Sequence, residues 1–92
     1  MAWTITWTEA KRARTLQERG LDFADAGAVL LGRQFTRPTH GGKADEERFV
    51  TAGFLNDRMV VVVWTPRGSA RHIISMRHAH AKEKRLWEQK MG

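Results

Sequence analysis

The sequence predicts an α+β fold: an antiparallel sheet of four to five strands, with two N-terminal helices packed on one face and a C-terminal helix. Three observations predict it. Runs that alternate apolar and polar residues, or are wholly apolar, follow one another with short turn-forming connections, the pattern of an antiparallel meander. Helical spacing is confined to the two ends of the chain. The 92 residues, 41% of them hydrophobic, are enough for one modest core and one domain spanning 1–92.

Each element has its own signal. Trp3-Thr-Ile-Thr-Trp7 has the period of a half-buried strand. Thr8 is placed to cap a helix, with Glu9 at its positive end, a stripe of Ala10, Ala13 and Leu16, and Gly20 to close it. Asp22 caps a second helix whose stripe is Phe23, Ala26, Val29 and Leu30, ended by Gly32. Residues 33–39 read as a strand stopped by Pro38, and residues 40–47 as a polar loop. Strands follow at 48–55, 59–65 and 70–77, separated by Asn56-Asp57 and by Pro66-Arg67-Gly68-Ser69. Residues 79–91 form the last helix, with Ala79, Leu86, Trp87 and Met91 as its apolar positions. The order is β-α-α-β-β-β-β-α, with the helices expected on one sheet face.

Composition narrows the function classes. No cysteine is present, so disulfides, thiolate-ligated zinc and thiol catalysis are excluded. No long apolar segment marks a signal or a membrane span, and a cytoplasmic location is expected. The net charge is +6, and it is uneven. Residues 1–20 carry Lys11, Arg12, Arg14 and Arg19 against Glu9 and Glu18, and residues 21–70 balance. From residue 71 onward six Lys/Arg face Glu83 and Glu88. Cationic ends point to a polyanion, with RNA the first choice.

Several pieces now form an ordered set. They are Trp7 with Lys11; Gly20-Leu-Asp-Phe23 with Ala26 and Val29; Glu47-Arg48 opening a strand; Gly53; Val61-Val-Val-Trp-Thr65; and Arg71-His-Ile-Ile-Ser-Met-Arg77 with Ala79 and Glu83. This set resembles the BrnT family of toxins from bacterial type II toxin–antitoxin systems. The resemblance implies a RelE-like fold and a metal-independent endoribonuclease that inhibits translation and needs no cofactor. It also implies a ribbon-helix-helix antitoxin of the BrnA type, with operator DNA bound only through the toxin–antitoxin complex. The chain departs from the family pattern at Thr15, Glu18-Arg19, Met76 and Trp87.

RNA is cut without metal when its own 2′-hydroxyl attacks the adjacent phosphate. The protein must then hold the backbone and stabilise a dianionic transition state, for which preorganised arginines suit. Strict alternation puts Arg71, Ile73, Ser75 and Arg77 on one strand face and His72, Ile74, Met76 and His78 on the other. The candidate catalytic set is therefore Arg71, Ser75 and Arg77, joined by Arg48 from a neighbouring strand. The competing reading pairs these arginines with Asp45-Glu46-Glu47. His40, His72, His78 and His80 are read as exposed or packed side chains, and H-x5-H-x-H matches no common closed metal site. Lys11, Arg14, Lys82 and Arg85 are the candidate RNA-binding residues, on helix faces that also suit solvent or an antitoxin. The alternative function is a non-catalytic nucleic-acid-binding module, or a degenerate toxin acting only through its antitoxin complex.

Overall fold

The computed structural model describes residues 4–39 and 46–91, so Trp3, His40 and Asp45 lie outside the described residues. The apolar runs become five strands: β1 (Thr4–Thr6), β2 (Gln34–Thr39), β3 (Arg48–Leu55), β4 (Arg58–Arg67) and β5 (Ala70–His78). Among the described residues three α-helices accompany them: α1 (Glu9–Arg19), α2 (Ala26–Leu31) and α3 (Ala81–Met91). A single 3-10 turn, Phe23–Asp25, precedes α2, and the Asp22 side chain accepts from the Ala24 amide at 2.9 Å to start it. Thr8 is extended at the head of α1, but its side chain makes no cap hydrogen bond.

The sheet order is β1-β5-β4-β3-β2. The last four strands in sequence form the expected antiparallel meander. The expectation of a wholly antiparallel sheet fails at β1, which lies parallel to β5 with Thr4, Ile5 and Thr6 opposite Ala70, Arg71 and His72. No hairpin joins these two strands, because the helices and the other three strands intervene, so no short turn sets β1 antiparallel.

Both prolines sit at the margin of the ladder. Pro38 does not stop β2, since an edge strand tolerates a missing N–H on its open side. Pro66 stays in β4, where it pairs with Arg71 beyond the last residues shared with β3. Asn56 and Asp57 both take positive φ (51° and 65°), the conformation of a tight two-residue hairpin.

The core is divided by the sheet. On one face, Leu21, Phe23, Ala26, Val29 and Leu30 pack on Val60, Val62, Trp64, Ile73 and Met76. On the other, Trp87 of α3 packs with Ala52 and Met59, flanked by Phe35, Val50 and Phe54. The helices therefore do not share a face. The run Val60-Val61-Val62-Val63 explains why: it presents apolar side chains on both sides, and each side needs a cover.

Gly53 marks the closest approach of α2 to the sheet. A Cβ there would lie 2.8 Å from Val29 Cγ1 and 3.0 Å from the Val29 carbonyl oxygen. Behind it, Trp64 Nε1 donates to Thr51 Oγ1 at 2.9 Å, and Thr51 is hydrogen-bonded to Thr36 at 2.7 Å, so the buried indole is satisfied.

The predicted stripe of α1 is a correction. None of its residues is buried, and Leu16 is 45% exposed. The helix turns Lys11, Arg14, Thr15, Glu18 and Arg19 toward Ile74 and Ser75 of β5. Beyond His72, β5 has no β1 residue beside it, and such an edge offers peptide groups that polar side chains can satisfy. Arg19 Nη1 donates to the Met76 carbonyl at 3.0 Å. Arg12 fixes the helix from its other side, bonding Asp22 at 2.7 and 3.0 Å and Glu9 at 2.8 Å.

Candidate functional site

The arrangement of candidate residues is decided by one residue in β5. Val63 pairs with Ser75 but Trp64 pairs with Ile73, so Ile74 is the extra residue of a β-bulge. Ile73 and Met76, an odd number of positions apart, consequently bury in the same core cluster. Strict alternation would have placed them on opposite faces.

The bulge separates the predicted arginines. Arg71 lies on the face of α2, with its guanidinium 4.4 Å from the centre of the Trp64 ring, which itself stacks on Phe49 at 4.8 Å. Burial pulls the Arg71 pKa below its ordinary value. These three side chains line an apolar recess of about 280 Å³, completed by Glu47 and the Gly68-Ser69 turn.

Arg77 lies on the face of α3. It makes a two-pronged ion pair with Glu83, at 2.6 and 2.7 Å, and a longer bond of 3.3 Å to the His78 carbonyl. Glu83 also accepts from the His80 amide at 3.0 Å, closing the start of α3. Its carboxyl is held down to about 2, first by the Arg77 hydrogen bonds. The expected shared face of Arg71, Ser75 and Arg77 is therefore not formed. Arg77 finds its acid in α3 rather than in the loop before β3.

On Arg77's side of the sheet, a polar row crosses the strands. Thr6 stands beside His72, and His72 opposite Thr65. Arg48 lies one residue before Phe49, which pairs with Trp64, so it continues the row next to Thr65, and its other neighbour is Thr39 of β2. Thr6 Oγ1 and His72 Nδ1 are 2.8 Å apart. Burial pulls the His72 pKa down, the cations of Arg67 and Lys11 push it the same way, and Glu46 opposes them. Glu46 also stands 3.8 Å from Arg48.

Ser75 opens onto a groove of about 270 Å³ between β5 and α1, lined by Lys11, Arg14, Thr15, Glu18, Arg19 and Ile74. Three residues singled out by the sequence, Lys11, Arg14 and Ser75, meet here. Lys82 and Arg85 do not join them: they are exposed on α3, whose inward stripe is Glu83, Trp87 and Met91. His72, read from the sequence as an exposed or packed side chain, and Arg19, counted there only as charge, both stand among the candidate residues. The available signal was Ile73-Ile74 followed by Met76, three apolar positions that no strict period of two accommodates.

The model of the family described as "Ribonuclease toxin, BrnT, of type II toxin-antitoxin system" matches residues 7–83. The chain belongs to the BrnT family. A solved BrnT toxin from Brucella abortus, described as a ribonuclease toxin, is 36% identical, with a TM-score of 0.67 over 85% of this chain and 97% of that one. A comparison with curated proteins returned no match. BrnT membership makes this a ribonuclease-type toxin paired with an antitoxin, and the α+β fold with its five-stranded mixed sheet agrees with the solved relative.

Proposed function

We propose that the chain is a metal-independent endoribonuclease of RelE-like architecture, acting in the cytoplasm to inhibit translation by cutting RNA. The observation that carries this reading is the α1/β5 groove, where Lys11, Arg14 and Arg19 converge on Ser75 in a protein whose family is named for ribonuclease toxins. A groove with three cations and one carboxylate, Glu18, holds a phosphodiester backbone by charge and is blind to base identity. The Ser75 hydroxyl adds a hydrogen bond to a phosphate oxygen, and Arg48 binds the backbone farther along the same sheet face. Arg71 extends the contact at the rim of the second recess, where Trp64 and Phe49 give a flat cationic stack. Arg77 acts as a positioning residue: through Glu83 it holds α3 against the sheet. Lys82 and Arg85 add long-range attraction. The partner that silences the toxin is a BrnA-type ribbon-helix-helix antitoxin, and operator DNA is met only through that complex.

A second reading, binding without cleavage, is favoured by one observation, the engagement of Arg77 with Glu83 rather than with an open site. Charge reversal tests the groove, and strand scission separates the two readings. Lys11→Glu with Arg14→Glu is expected to weaken RNA binding and to flatten its salt dependence by about one phosphate contact or more. It is also expected to restore growth to cells expressing the toxin. A folded double variant that binds RNA with the wild-type salt slope contradicts the groove assignment. RNA binding by the wild type with no strand scission at any enzyme concentration supports the second reading instead.

A further inference from the structure

We infer that His72, oriented by Thr6, is the proton acceptor for the attacking 2′-hydroxyl of RNA, an assignment that rests on the cleavage reading. The bulge at Ile74 brings this about. It places His72, Ser75 and Arg77 on one face, where alternation along β5 would have divided them. His72 stands in the row that runs from Thr6 through Thr65 to Arg48, and it is half-buried, so the ring is neither fully solvated nor sealed from a substrate.

The hydrogen bond to Thr6 leaves one ring nitrogen for chemistry. The 2.8 Å contact with Thr6 Oγ1 holds the ring against rotation, and in the tautomer whose Nδ1–H donates to that oxygen, Nε2 carries the lone pair. The charged groups around the ring come from three elements: Lys11 from α1, Arg67 from β4, and Glu46 from the segment before β3. The two cations serve two ends. They attract the phosphate, and they disfavour a second proton on the imidazole, so the base is neutral at cellular pH. Lys11 also lines the Ser75 groove, which links the histidine to the phosphate-holding residues.

The step balances without a metal or a redox partner. The 2′-hydroxyl proton passes to Nε2 as the bond from O2′ to phosphorus forms. The bond from phosphorus to the 5′-oxygen breaks, and that oxygen takes a proton from water. The products are a 2′,3′-cyclic phosphate and a 5′-hydroxyl, and the imidazolium returns its proton to solvent.

The test is the pH profile of kcat/KM on mixed-sequence single-stranded RNA, from about pH 5 to 8, for wild type, His72→Gln and Thr6→Val. The wild type is expected to lose rate as pH falls, with a midpoint below the ordinary histidine value of 6.5. His72→Gln is expected to be slower by roughly 100-fold or more, mainly in kcat, and to lose that acid limb. Thr6→Val is expected to keep the limb but lower kcat by a smaller factor, with KM unchanged. A flat wild-type profile over this range overturns the assignment whatever the variants do. So does a folded His72→Gln that retains the wild-type rate or limb, and in that case RNA cleavage itself still stands. A wild-type protein that cuts no RNA removes both the cleavage reading and this base.

Discussion

Arg77 shows how a residue chosen for chemistry is claimed by structure. Its two-pronged pair with Glu83 joins β5 to the first turn of α3, and the same carboxylate accepts from the His80 amide. Glu83 is held down to about 2 from an ordinary value of 4.5. A lowered carboxyl adds stability above its unfolded value, and that stability disappears as pH falls through the folded value. Glu83→Gln is therefore expected to be less stable than wild type at neutral pH by about 1 kcal/mol, since a pair about one-third exposed is screened by water. The deficit should shrink from about pH 4.5 downward and vanish near pH 2, as read by urea unfolding across pH. A deficit that persists at the acid end contradicts the pairing. The sequence carried both residues but not their meeting: Glu83 reads as an ordinary first-turn acid, and its partner six positions upstream lies in another element.

At the scale of elements, β3 and β4 were legible because their turn chemistry and apolar runs agree. Asn56-Asp57 supplies the two positive-φ positions that the hairpin requires. β5 was legible as a strand but not as a surface, because one extra residue reverses every side chain beyond it. α1 was legible as a helix and misread as amphipathic toward a core. Its apolar residues are too small to matter, apart from Leu16, and its working face is polar because it lies along a strand edge. Gly53 tests the packing of α2 on β3. Gly53→Ala places a methyl group 2.8 Å from Val29 Cγ1 and 3.0 Å from the adjacent carbonyl oxygen, so backbone as well as side chain must move. The expected cost is roughly 1–3 kcal/mol, measured as a lower denaturation midpoint with an unchanged slope. A neutral substitution there contradicts the close approach.

Across the whole molecule, the sequence indicated the α+β class, with four to five strands expected and five found among the described residues, and the resemblance pointed to the family that the match then bore out. The direction of β1 and the division of the helices between two faces were not legible, since both depend on long-range pairing that local pattern does not encode. Charge was legible as a surplus at the chain ends. The fold gives only the N-terminal part of that surplus a place: Lys11, Arg14 and Arg19 of α1 lie beside Ile74 and Ser75 of β5, so residues far apart in sequence line one groove, while the C-terminal cations lie elsewhere. The proposed chemistry at this basic groove cuts RNA with side chains alone. Purified toxin incubated with end-labelled single-stranded RNA in excess EDTA tests it most directly. The expected products are fragments ending in 2′,3′-cyclic phosphate with 5′-hydroxyl partners, lost on adding the cognate antitoxin. Intact RNA in EDTA, with cleavage restored by a divalent metal, would contradict it.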